Sequence, residues 1–306
     1  MTATSLSHVL TLIADPARGG LDDSIARLAR TALGNLGAST AGPDWLAPGI
    51  ACDIGFDSLA DEQAQAAVAM ALAGQAVDIV AQPVAGRRKR VLVADMESTI
   101  IRQEMLDELG ELVGARDRIA QITARAMNGE LDFKAALRER VALLEGLPAT
   151  VLTDMIGRIT LMPGADTLIA TLKRHGVHCA LVSGGFKPFT AHVRALLGFD
   201  EDQANDLEVA DGRLTGRPLE PILDKDAKLQ ALIRIAATHQ VALSATLTVG
   251  DGANDLPMLQ AAGLGVAYHA KPAVAAQTRA RIDHGDLTAL LYLQGYRADE
   301  IVAGGV

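Results

Sequence analysis

Four short apolar runs constrain this chain more than any other feature: Val91–Ala94 (VLVA), His178–Val182 (HCALV), Thr246–Val249 (TLTV) and Gly263–Tyr268 (GLGVAY). Near-continuous apolar runs of this length mark strands buried on both faces of a parallel sheet, whereas half-exposed strands alternate. Helical segments separate them. Asp166–His175, for example, carries Leu168, Ile169 and Leu172 on one face and ends at Gly176. Strand–helix–strand alternation predicts an α/β fold with a doubly wound parallel sheet. Aromatic residues make up only 3% of the chain, so the core has to be built from small aliphatic side chains. Residues 105–155 have helical patterning and no strand, and are read as a helical insertion after the first of the four strands.

The first 86 residues follow a different rhythm. His8–Asp15 reads as a strand, Leu21–Leu36 as a helix, Ile50–Phe56 as strand-like, Asp61–Leu72 as an Ala-rich helix and Val77–Pro83 as another strand. This order predicts a small α+β unit of the ferredoxin-like kind. Ala85–Arg90 (AGRRKR) is read as a solvated linker, placing the boundary between domains 1–86 and 87–306. Asp211-Gly212, flanked by short apolar segments within Glu208–Leu219, signals a hairpin.

The net charge of −9 speaks against nucleic acid or an anionic membrane as partner. Cys52 and Cys179 sit in apolar runs and make no disulfide scaffold. With no secretory signal or spanning segment in view, the expectation is a cytoplasmic protein.

Ligands of open parallel sheets bind beyond the carboxyl ends of the strands. Polar residues stand there in order: Asp95, Glu97, Ser98 and Thr99 after the first run, Ser183-Gly184-Gly185 after the second, and Gly250-Asp251 with Asn254 and Asp255 after the third, with Lys228 ahead of it. One such residue alone reads as a helix cap or turn. Several at one rim imply a site, and clustered carboxylates call for a hard divalent cation such as Mg²⁺, which commonly also meets a substrate phosphate. A carboxylate nucleophile, a serine hydroxyl beside backbone N–H groups and a lysine suit phosphoryl transfer.

DMEST, the SGG turn, the downstream lysine and GDGAND resemble the four motifs of the haloacid dehalogenase-like superfamily, and within it the phosphoserine phosphatase family. The resemblance covers about residues 89–295 and includes RQEMLDELGELVG and MNGELDFKAALRERVALLEGLP, which are similar to that family's cap. It implies Mg²⁺-dependent hydrolysis of O-phospho-L-serine, the last step of serine biosynthesis, through an aspartyl-phosphate on Asp95. Asp95, the main-chain carbonyl of Glu97 and Asp251 would hold the metal. Ser183, Gly184 and Lys228 would grip the phosphoryl group, with Asn254 and Asp255 beside them and Thr99 orienting the nucleophile loop. In the cap, Glu104 would take the substrate ammonium, Arg140 its carboxylate, and Met127 and Phe133 an apolar wall. Without the resemblance, Met127 and Phe133 read equally well as packing residues, and Glu104 and Arg140 as residues that are solvated or joined in surface ion pairs. Arg138, two residues before Arg140, points elsewhere on the helix.

The chain departs from the family at Glu97, where the motif has aspartate as acid and base. Three explanations stay open at this level: a tolerated variant with a shifted loop, a substitution that slows turnover, or a phosphoserine-binding protein without turnover. A related phosphatase or phosphotransferase acting on another small phosphorylated substrate is also open, although Glu104 and Arg140 speak against a sugar phosphate. The N-terminal unit is similar to ACT-like domains, which implies amino-acid sensing or a homodimer formed through it.

Overall fold

The computed structural model describes residues 6–127, 130–223 and 226–305; the side chain of Met127 lies outside the described residues. The N-terminal unit runs β1 (His8–Ala14), α1 (Asp23–Asn35), β2 (Ser39–Ala47), β3 (Ala51–Asp57), α2 (Asp61–Ala71) and β4 (Val77–Pro83), with an antiparallel sheet in the order β2-β3-β1-β4. Asp22 starts α1 by accepting from the N–H groups of Ser24 and Ile25, the usual N-cap arrangement. Strand β2 is absent from the sequence reading. Its segment STAGPDWLA is largely exposed at the sheet edge, contains Pro43 and is bulged twice against β3, so it lacks the alternation of a half-buried strand.

Strand β1 is buried on both faces. Leu10, Leu12 and Ala14 pack with Ala26, Ala29 and Leu33 of α1, whereas Ile13, with Leu46, Ala47, Ala51 and Val80, joins the core of the remainder of the chain.

The larger unit comprises β5 (Val91–Ala94), α3 (Met105–Leu112), α4 (Arg116–Met127), α5 (Phe133–Ala142), α6 (Thr150–Ile156), α7 (Ala165–Arg174), β6 (His178–Phe186), α8 (Lys187–Leu197), β7 (Glu201–Asn205), β8 (Leu207–Ala210), β9 (Arg213–Pro218) and α9 (Ala227–Thr238). It continues with β10 (Thr246–Gly250), α10 (Leu256–Ala261), β11 (Leu264–Tyr268), α11 (Pro272–Ala275), β12 (Ala280–Ile282) and α12 (Ala289–Leu293). Six strands form a parallel sheet in the order β12-β11-β10-β5-β6-β7. The four apolar runs are its four central strands. The edge strands β7 (EDQAN) and β12 (ARI) are short; β7 is polar, whereas Ala280 and Ile282 of β12 are buried.

Helices α3 to α6 form the insertion, and the β8–β9 hairpin turns at Asp211-Gly212, both at positive φ, as Asp-Gly hairpins require. The hairpin is sewn to the insertion: Gly146 N–H donates to Leu214 O at 2.8 Å, Ala149 N–H to Gly212 O at 2.8 Å, and Arg213 Nη1 to Gly146 O at 2.6 Å.

Two expectations need correction. Residues 85–90 are not a solvated linker. The Arg87 guanidinium is largely buried between the two units, bonded to both oxygens of Asp53 (2.6 and 2.9 Å), to Thr11 Oγ1 and to the carbonyls of Tyr292 and Leu293. Arg88 pairs with Glu300 and lies over the Tyr296 ring, and Lys89 donates to Ser244 O. A basic run reads as solvated only while its carboxylate and carbonyl partners, distant in sequence, are unseen. Nor is Ser183-Gly184-Gly185 a turn. It continues β6 to Phe186, with the register to β7 broken between Val182 and Phe186.

Candidate active site

The parallel strands β5, β6 and β10 end side by side, and each delivers one polar group. Asp95 follows β5 directly, its N–H bonded to Val249 O of β10. Ser183 lies within the irregular end of β6, where its Oγ accepts the Gly185 N–H at 2.9 Å. Asp251 follows β10. Lys228, in the first turn of α9, reaches across to Asp95 Oδ1 at 2.7 Å and Asp255 Oδ1 at 2.5 Å, and Asp255 Oδ2 accepts the Gly252 N–H at 2.9 Å. The four side chains of Asp95, Ser183, Lys228 and Asp255 are buried.

The electrostatics are those of an anion-rich floor with too few cations. Burial raises the Asp95 carboxyl well above its ordinary value; Lys228 opposes this, and Asp255 and Asp251 add to it. Asp251 is pushed up to about 6 by burial and by Asp255 and Glu104. Burial also works against the Lys228 charge, yet Asp255 and Asp95 outweigh it and hold the ammonium above its ordinary value. Oxygens of Asp95, Asp251 and Asp255 lie within 4.8 Å of one another. Hard oxygen donors at that spacing, carrying uncompensated charge, fit a small divalent cation. Asp255 already spends its oxygens on Lys228 and Gly252, so Asp95 and Asp251 are the free donors.

A cleft of about 800 Å³ opens above this floor under the insertion and is lined by Asp95, Glu97, Glu104, Phe133, Arg140, Gly184, Asp251 and Asn254, among others. Glu97 Oε1 accepts the Met105 N–H at 2.9 Å, and its carboxylate lies against Gly185, where a Cβ would come within 2.8 Å of Oε2. Burial and the neighbouring Glu104 raise the Glu97 carboxyl to about 8. Glu104 accepts the Ser98 hydroxyl at 2.7 Å. Arg140 is held by Ala136 O and Thr123 Oγ1 among the carboxylates of Glu97, Asp107 and Glu104. The Phe133 ring touches the Gly184 position, while Arg138 faces outward to Glu220. The Thr99 hydroxyl is buried without a hydrogen-bond partner, so in this geometry its side chain does not tie down the nucleophile loop.

Two contributors escaped the sequence reading. Asn205 donates its amide to Gly184 O at 2.7 Å and accepts the Leu223 N–H at 2.8 Å, fixing the Gly184 peptide from the end of β7. Its only signal is an asparagine at the end of a polar edge strand. Lys271 also lines the cleft and offsets the charge of Asp251; it stands outside every recognisable motif.

The family profile of haloacid dehalogenase-like hydrolases matches residues 92–260. The chain is 38% identical over 300 residues to the phosphoserine phosphatase SerB2 of Mycobacterium tuberculosis, covering 97% of this chain and 73% of that protein. It is 46% identical over 212 residues to phosphoserine phosphatase of Lactococcus lactis, covering 69% of this chain and 98% of the relative. The chain belongs to the haloacid dehalogenase-like hydrolases, in the phosphoserine phosphatase family. It is also 43% identical over 258 residues to phosphoserine phosphatase of Streptomyces coelicolor, covering 84% of this chain and 63% of that longer protein. Among solved structures, a phospho-aspartyl intermediate analogue of phosphoserine phosphatase superposes with a TM-score of 0.63 at 38% identity, covering 67% of this chain and 98% of the other. Membership places the insertion as the family's cap over the motif residues.

Proposed function

We propose that the chain hydrolyses O-phospho-L-serine to L-serine and phosphate with Mg²⁺. The observation that carries this is the buried Asp95–Lys228–Asp255 chain, with an Asp251 oxygen within 4.8 Å of those of Asp95 and Asp255, beneath a cleft whose cap side bears the Glu104 carboxylate and the Arg140 guanidinium. Lys228 engages Oδ1 of Asp95, which leaves Oδ2 to attack phosphorus and form the aspartyl-phosphate. Asp95, Asp251 and the Glu97 carbonyl would hold Mg²⁺, which supplies charge neutralisation at the phosphoryl oxygens. Ser183 Oγ and the Gly184 N–H, which line the same small pocket as Lys228, receive those oxygens. Glu97, whose carboxyl is pushed up to about 8 by burial and by Glu104, gives its proton to the departing seryl oxygen and then takes one from the water that opens the acyl phosphate. Arg140 pairs with the substrate carboxylate, Glu104 with the ammonium, Phe133 closes the apolar side over Gly184, and Asn254 lies beside the phosphoryl pocket.

The Glu97 carboxylate occupies the space that a side chain at Gly185 would fill. The division into residues 1–86 and 87–306 is proposed with this activity. Homodimerisation through the N-terminal unit would use its helical side, where Leu28, Leu36 and Met70 are exposed, or the exposed edge of β2, because the open sheet face is covered by the rest of the chain. Two buried, unpaired thiols support residence in a reducing cytoplasm. No helix among the described residues is long and apolar enough to cross a membrane.

The test is phosphate release from O-phospho-L-serine with Mg²⁺ and with excess chelator, alongside phosphoethanolamine and a hexose phosphate. Metal-dependent release with preference for phosphoserine is expected. Equal rates on the hexose phosphate would overturn the substrate assignment, and no release from any of the three would overturn the hydrolase reading.

A further inference from the structure

The opposite pole of the parallel sheet carries a second cluster of metal-binding side chains that the phosphatase reaction does not use. His178 opens β6, Glu201 opens β7 and His239 caps the end of α9, and one ligand atom from each lies within 4.8 Å of the others. His178 Nε2 is 2.9 Å from Glu201 Oε1. Two donors each about 2.0–2.1 Å from one zinc ion stand roughly 3–3.5 Å apart, so this pair is already near the spacing of neighbouring ligands. The imidazoles of His178 and His239 are stacked, with ring centroids 3.9 Å apart and planes inclined by 35°.

The surroundings have the form of a ligand shell. Behind His178, Nδ1 faces Asp200 Oδ2 at 3.6 Å, and Asp200 is itself anchored by the Cys179 N–H (2.8 Å) and Lys173. A carboxylate behind the second ring nitrogen orients metal-bound histidines, and at 3.6 Å Asp200 is an electrostatic neighbour of Nδ1 rather than its hydrogen-bond partner. Arg234 bonds the other oxygen of Glu201 at 2.8 Å, which turns Oε1 toward the two rings. His178 and Glu201 are half-buried and His239 is exposed, so an ion can enter from solvent.

From these observations we infer that His178, Glu201 and His239 form a site for a borderline-soft divalent transition ion, zinc first. Two imidazoles and one carboxylate leave the fourth tetrahedral position to water. Mg²⁺ is a poor match for imidazole, so this site and the carboxylate floor select different ions. The site lies roughly 16 Å from the chemistry along β6, because five residues at ~3.3 Å each separate His178 from Ser183. Its effect is therefore structural. The ion ties the end of α9 to the starts of β6 and β7, and α9 is the helix whose first turn presents Lys228.

The experiment uses the full chain with Mg²⁺ in large excess, so that the carboxylate floor is occupied, and reads zinc by equilibrium dialysis and Co²⁺ by visible absorption. One equivalent of zinc, an intense tetrahedral Co²⁺ spectrum and a rise in Tm with zinc are expected. His239→Ala, at an exposed position, is expected to weaken zinc binding at least tenfold, to abolish the spectrum and the Tm rise, and to leave Mg²⁺-dependent phosphate release unchanged. Zinc uptake identical in His239→Ala and the unsubstituted chain would overturn the inference, as would no uptake in excess Mg²⁺.

Discussion

Substituting Gly185 by alanine tests the fit between Glu97 and the end of β6. A Cβ at Gly185 would sit 2.8 Å from Glu97 Oε2, and ordinary contact begins at 3.4 Å, so the carboxylate has to retreat by about 0.6 Å. It is buried and held by the Met105 N–H, so this movement comes at the expense of its aim. A misplacement of ~1 Å at a reacting group can cost ~100-fold in rate. Scaled to the displacement, kcat for phosphoserine is expected to fall about tenfold in Gly185→Ala, with little change in Tm. Glu97→Asp alone draws the carboxyl back by more than ~1 Å, away from both Gly185 and Met105, and is expected to lower kcat by up to ~100-fold. In the double variant the methyl group has nothing left to strike, so its tenfold penalty vanishes and the rate equals that of Glu97→Asp. That coupling corresponds to about 1.4 kcal/mol, well above what independent sites show. The assay is steady-state phosphate release for the four proteins at saturating Mg²⁺. Multiplicative losses in the double variant would refute the steric account and leave Glu97 without its assigned place.

Three further outcomes are expected. Asp95→Asn keeps the fold, checked by circular dichroism, and lowers phosphate release by about 10³-fold or more, because the amide cannot form the covalent intermediate. Arg140→Lys raises KM for phosphoserine about tenfold but leaves phosphoethanolamine, which lacks the carboxylate, nearly unaffected; equal effects on both would remove Arg140 from carboxylate recognition. Arg87→Ala strands the buried Asp53 carboxylate and is expected to cost about 3–5 kcal/mol in urea unfolding, with the N-terminal unit released first. A loss below ~1 kcal/mol would show that this junction is not held by the ion pair.

The fold was legible where burial imposes a pattern. VLVA and its three companions are central strands, apolar because helices cover both faces, and Asp-Gly marked the hairpin. It was illegible at edges: β2 is bulged and largely exposed, β7 and β12 are too short to carry a pattern, and no strand is assigned to any of them from the sequence. Site residues in fixed-order motifs could be named before any coordinates, since Asp95, Ser183 and Asp251 follow strands of a parallel sheet. Groups acting through tertiary contact could not. Asn205 matters through Gly184, 21 residues away, and Arg87 through Asp53, 34 residues away, pairings that no local spacing encodes.

The four backbone and guanidinium bonds between residues 146–149 and the 212–214 tip have a practical consequence for engineering. Lid and hairpin are one mechanical part with two separate stretches of chain, so whatever swings the helices away from the floor carries the hairpin along. Exchanging the helices alone for those of a relative, to retune which phosphate esters are admitted, would leave Leu214 O and Gly212 O facing a stranger's backbone. A chimera has to transplant residues 105–156 and 207–218 as a pair.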